Sequence, residues 1–86
     1  MTQPSPAPAA DLKALGVAVA QARLKRGYSI DAVAGAAGVD RTTLMRLEAG
    51  RHSVSVSVLH AVAHALQVPI GVLAESLCGA ATGQKD

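Results

Sequence analysis

The chain has 86 residues, half of them hydrophobic, and a formal net charge of +2. That length holds one small domain, near the lower limit for a core that stands without disulfides or metals. Phe and Trp are absent and Tyr28 is the one aromatic residue, so the core has to be built from Ala, Val, Leu and Ile, and a single cysteine, Cys78, excludes an internal disulfide and a cysteine zinc cluster.

A lone cysteine outside any internal disulfide fits a reducing compartment. The opening MTQPSPAPAAD carries neither the basic nor the apolar run of a secretory leader. The longest apolar stretch, HSVSVSVLHAVAHALQVPIGVLA, includes three histidines and a proline, which argues against a membrane span. A soluble, cytoplasmic protein with no membrane partner is expected.

Residues 1–10 read as a flexible Pro/Ala-rich arm, because proline lacks an amide donor and resists helix. The ordered domain is expected over 11–78. A first helix should run from Asp11, its cap, to about Arg26, with Gly27 ending it and Leu12, Leu15, Val19 and Ala22 on one face. Ser29 caps a second helix that runs to about Ala36, with Val33, Ala34 and Ala37 inward. After the turn at Gly38, Asp40 caps a third helix over Arg41 to Ala49, in which Leu44 and Leu47 are buried and which Gly50 terminates.

The run RHSVSVSV alternates as a strand would. A lone strand has nothing to pair with, so a loop is preferred, with Ser55 capping a fourth helix over about Val56 to Gln67. Leu59, Val62, Ala63 and Leu66 form its apolar stripe. Pro69 suits the first turn of a fifth helix, Ile70 to Leu77, and residues 79–86 read as a disordered tail.

Charge is concentrated in the middle of the chain. Arg23, Lys25, Arg26, Arg41, Arg46 and Arg51 are opposed there by Asp31, Asp40 and Glu48, a balance that suits a polyanion. The second and third helices flank that region and are joined through Gly38. A small Ala34 permits a close crossing, and Val39, Leu44 and Leu47 bury the inner face of the third helix, so its outer face projects.

These residues resemble the helix-turn-helix domain of phage repressors and Cro proteins, the Xre family. The likeness spans about Leu12 to Leu77 through LGVAVAQARLKRGYSIDAVAGAAGV, DRTTLMRLEAGRHSVSVSVLHAVAHAL and VPIGVL. It implies an all-α, five-helix, lambda-repressor-like bundle whose third helix enters the major groove of double-stranded DNA. By the same resemblance Arg41, Thr42, Met45 and Arg46 would face base edges, where arginine matches the guanine acceptors and methionine suits a thymine methyl. Ser29, Thr43, Arg51 and His52 would contact phosphates. Arg23 and Glu48 match a structural ion pair that sets the angle of the third helix. The family commonly dimerises through its last helix, where Val68, Ile70, Val72, Leu73 and Leu77 are the candidates here.

The chain departs from the family at two places. Ile30 stands where a phosphate-contacting glutamine is common. Val17, Ala20 and Leu24 form a second apolar stripe on the first helix, a candidate face for self-association or for a partner protein. No enzyme is expected: there is no phosphate-cradling glycine loop and no catalytic carboxylate pair. His60 and His64 share a helix face, but Ala61 stands where the zinc-protease motif requires glutamate, so neither a metal nor a cofactor is expected. The leading expectation is a transcriptional regulator, a repressor acting as a homodimer on an inverted repeat. The alternative is a protein-interaction module of the same fold, an antitoxin or accessory factor.

Overall fold

The computed structural model describes residues 4–6 and 9–78. The expected tail, 79–86, and residues 1–3 and 7–8 of the expected arm lie outside the described residues. Among the described residues the order is α1 (Leu12–Lys25), α2 (Ile30–Ala37), α3 (Arg41–Ala49), α4 (Val56–Leu66) and α5 (Ile70–Glu75), closed by a 3-10 turn (Ser76–Cys78). The fold is all-α, as expected. The fifth element is shorter than the sequence suggests, because its last turn tightens into the 3-10 form.

Local chemistry explains where the helices begin. Asp11 accepts a hydrogen bond from the Ala14 amide at 2.9 Å, Ser29 Oγ from Ala32 at 3.0 Å, and Ser55 Oγ from Val58 at 3.1 Å. Each side-chain oxygen satisfies an amide that has no carbonyl one turn earlier. Asp40 takes the expected N-cap position of α3 with extended backbone, but its side chain makes no capping hydrogen bond. α5 begins at Ile70 as expected, with Pro69 in extended backbone as its N-cap. The Val/Ser alternation is not a strand: Val54 and Val58 lean on the core, while Val56 opens α4 and is 76 % exposed.

The core joins all five helices. Leu15 and Val19 of α1 meet Val33 and Ala34 of α2, Leu44 and Leu47 of α3, Leu59, Val62, Ala63 and Leu66 of α4, and Leu73 of α5. Leu73 corrects an expectation. At 1 % exposure it is a core residue and unavailable to a partner, because the short α5 needs its one large inward side chain to dock against α1 and α4. The apolar stretch over 52–74 is spent the same way. It is split between α4 and the segment from Ile70 to Cys78, which meet at a bend of 120°, and no single helix among the described residues is long and apolar enough to cross a membrane.

Two glycines seat α1 against α3. A Cβ on Gly16 would lie 2.6 Å from the Leu47 carbonyl oxygen and closer still to that of Glu48, so only glycine allows the two backbones to touch. Gly50, which ends α3 at φ +69°, answers from the other side: a Cβ there would meet Lys13 Cα at 2.6 Å. The two ends of the bundle are also tied, through the Asp11 amide, which donates to the Leu77 carbonyl at 2.8 Å.

Candidate nucleic-acid interface

The presentation of α3 follows from its two buried leucines. Leu44 and Leu47 point into the core at 0 % and 4 % exposure, so Arg41, Thr42, Met45 and Arg46 are left on the outer surface. Residues three and four apart share a helix face, which makes these four one continuous strip. The turn from α2 into α3 is made by Gly38 at φ +71°, after which the Val39 amide donates back to the Ala34 carbonyl at 3.0 Å. That closing bond is the usual glycine-dependent end of a helix, and here it sets the sharp angle between the two.

Shallow depressions flank Arg46. One is lined by Thr42, Met45, Arg46, Ala49 and Arg51. The other lies between α3 and the loop into α4, lined by Thr43, Arg46, Leu47, His52, Ser53, Val54, Ser55 and Val58. Thus the structure brings Arg51 beside the candidate base-reading strip and His52 beside Thr43. Both Arg51 and His52 are exposed, and Thr43 is half-buried. Ser29 lies apart from them at the start of α2, its Oγ accepting from Ala32. A hydroxyl that accepts can still donate, so this leaves its hydrogen available to a phosphate.

Behind this surface lies a bidentate ion pair. Arg23 Nε donates to Glu48 Oε2 at 2.7 Å and Nη2 to Oε1 at 3.0 Å, while Nη1 donates to the Tyr28 carbonyl at 3.0 Å. Both side chains are largely buried, at 13 % and 12 % exposure. The hydrogen bond to Glu48 raises the Arg23 pKa above its ordinary value, with desolvation pulling the other way and the Glu48 charge adding to the rise. Three directed bonds hold one guanidinium, so α1, the start of α2 and the end of α3 are fixed relative to one another.

Ile30, which stands where the family commonly has a phosphate-contacting glutamine, is half-buried and packs on the core. One contact was not anticipated from sequence: Arg41 Nη1 lies 3.6 Å from Asp31 Oδ2, an ion pair between the first turns of α2 and α3. The acid in the first turn of α2 was visible, but nothing local revealed that the turn at Gly38 folds it back toward Arg41. His60 and His64 are exposed on α4. Among the described residues no group of three or more His, Cys, Asp or Glu could hold a metal ion.

A family model described as a helix-turn-helix domain matches residues 14–77. The chain belongs to the helix-turn-helix family. Solved structures agree in fold. ClgR, the clp gene regulator of C. glutamicum, is 30 % identical over 93 % of this helix-turn-helix chain and 100 % of its own, with a TM-score of 0.74. The restriction-modification controller protein C.AhdI from Aeromonas hydrophila is 28 % identical over 73 % of this chain and 96 % of that one, with a TM-score of 0.72. The N-terminal DNA-binding domain of SinR from Bacillus subtilis is 30 % identical over 69 % and 87 %, at 0.65, and SinR has also been crystallised in complex with DNA. No curated protein sequence matches the chain.

Proposed function

We propose that this helix-turn-helix protein is a cytoplasmic transcriptional repressor that reads an inverted repeat of double-stranded DNA as a homodimer. The coarser part, a DNA-binding regulator, comes with the family. The observation that carries the finer reading is the outer strip of α3. Arg41, Thr42, Met45 and Arg46 are exposed together on a helix whose other face is locked into the core. Arg41 and Arg46 read guanine through paired hydrogen bonds, and Met45 lies against a thymine methyl. Thr43, Arg51, His52 and Ser29 hold the phosphate backbone on either side.

One α3 covers only a few base pairs. A two-fold dimer doubles the contacts and requires half-sites about one helical turn (~34 Å) apart. Of the residues expected at a dimer face, Val72 on α5, 53 % exposed, and Val17 and Leu24 on α1, 47 % and 64 % exposed, remain available to a partner, with Ala20 half-buried between the latter two. Val68, Ile70 and Leu77 are half-buried against the core and support that edge from beneath.

The same exposed residues on α1 favour a second reading, in which a partner protein docks on the module. Purified protein incubated with a genomic fragment library at physiological salt separates the two. Enrichment of one inverted repeat, with a protein that sediments as a dimer, supports the repressor. A folded protein that enriches no sequence overturns the stand-alone regulator and leaves the partner-binding reading.

A further inference from the structure

We infer that Asp31 competes with DNA for Arg41, and so lowers both the affinity of the chain for duplex and the salt sensitivity of binding. The inference deepens the DNA-binding reading and rests on it. Arg41 is the first residue of α3, where the positive end of the helix disfavours a cation, and the Asp40 side chain makes no capping bond there. Asp31 sits in the first turn of α2, where the helix end favours an acid. The turn at Gly38 places the two side chains together, Nη1 to Oδ2 at 3.6 Å. The Asp31 carboxylate therefore offers Arg41 the same kind of partner that a phosphate or a guanine edge would offer.

The pair is 63 % and 70 % exposed and longer than a hydrogen bond, so it alters an equilibrium by a few-fold at most. It tempers binding rather than blocking it. Two effects add. Arg41 has to leave its carboxylate to reach the DNA, and the carboxylate left behind then faces the polyanion. An arginine partly paired with Asp31 also holds fewer condensed ions to release on binding, and so adds less to the salt dependence of the complex. The competition acts on any duplex, because it is a property of the free protein and not of the base sequence.

The test is fluorescence anisotropy with a labelled mixed-sequence duplex over a series of NaCl concentrations, comparing wild type, Asp31→Asn, Arg41→Ala and the double variant. Circular dichroism checks that each is folded. Asp31→Asn should tighten binding about threefold at low salt and steepen the slope of log K against log salt by a fraction of the ~0.9 that one phosphate contributes, because on a mixed-sequence duplex Arg41 meets phosphates rather than a chosen base. In the Arg41→Ala background only the repulsion between the Asp31 carboxylate and the DNA remains, so the same substitution should change both quantities by clearly less. Equal or weaker binding by Asp31→Asn overturns the inference. So does equal tightening with and without Arg41, which would reduce Asp31 to general repulsion. Folded wild type and variants that all fail to bind duplex would instead overturn the DNA-binding reading itself.

Discussion

Arg23 grips Glu48 with two parallel hydrogen bonds of 2.7 and 3.0 Å, across 25 residues of sequence, while the third corner of its guanidinium holds the Tyr28 carbonyl. Removing either partner leaves a largely buried charge uncompensated. Arg23→Ala and Glu48→Ala should each lose about 3 kcal/mol or more of stability in urea denaturation. Arg23→Lys keeps the charge but loses the planar fork, and should lose about 1–2 kcal/mol. Because folding raises the Arg23 pKa, its linked stability is complete below the ordinary guanidinium value and is lost only as pH rises through the higher folded value. Denaturation midpoints should therefore show no weakening from Arg23 between neutrality and about pH 10.

The contact between α1 and α3 predicts opposite effects for chemically identical substitutions. Gly16→Ala would drive a Cβ into the Leu47 and Glu48 backbone, which has no side-chain freedom to yield. A loss of about 1–3 kcal/mol is expected, as for other overpacked sites. Gly35→Ala and Gly71→Ala meet nothing within 4 Å. Both lie inside helices, where alanine gains up to about 1 kcal/mol over glycine, so these two should raise the melting temperature.

Gln67 closes α4 at φ +60°, the one non-glycine residue with positive φ among the described residues. A side chain there opposes the left-handed backbone by about 1–2 kcal/mol. Gln67→Gly removes that strain, gives back part of the gain through a more flexible unfolded chain, and forfeits an exposed 3.2 Å bond from Arg26 to Gln67 Oε1. The second bond, from Arg26 to the Gln67 carbonyl, uses backbone and survives. A net gain of about 0.5 kcal/mol is expected, read as a rise of a few degrees in calorimetry.

On the DNA side, Arg41→Ala and Arg46→Ala should each cost about 1–3 kcal/mol on a selected site and relax discrimination at particular base pairs. Arg51→Ala should instead weaken all duplexes alike and reduce the salt slope by about one. Parallel titrations on selected and scrambled duplexes distinguish the two patterns.

The helices, three of the caps and the buried stripes were legible because each is a local signal. Ser29 and Ser55 announce α2 and α4, and Leu59, Val62, Ala63 and Leu66 recur at helical spacing. The Arg23–Glu48 pair was visible only through the family likeness, since nothing in residues 23 to 48 dictates which arginine meets which acid. Gly16 gave no signal at all. A glycine inside a helix reads as a weak point until the neighbouring backbone is placed against it. Leu73 was turned the wrong way for a related reason: six residues of α5 are too few for their spacing to show which side faces the core. The exposed strip of α3 was legible from its two leucines, whereas the approach of Asp31 to Arg41 depended on the angle between two helices.

Tyr28 is the one residue among Phe, Trp and Tyr in the chain, half-buried against the core, and its carbonyl is the third anchor of Arg23. Near-ultraviolet absorption and intrinsic fluorescence therefore come from a single address, the corner where the first helix hands over to the second. An optical titration of the unlabelled protein reports strain at that corner rather than an average over the molecule. A change in its emission on adding DNA, corrected for absorption by the duplex, would place an event at that corner, arriving either through Ser29 beside the ring or through the guanidinium joint behind α3.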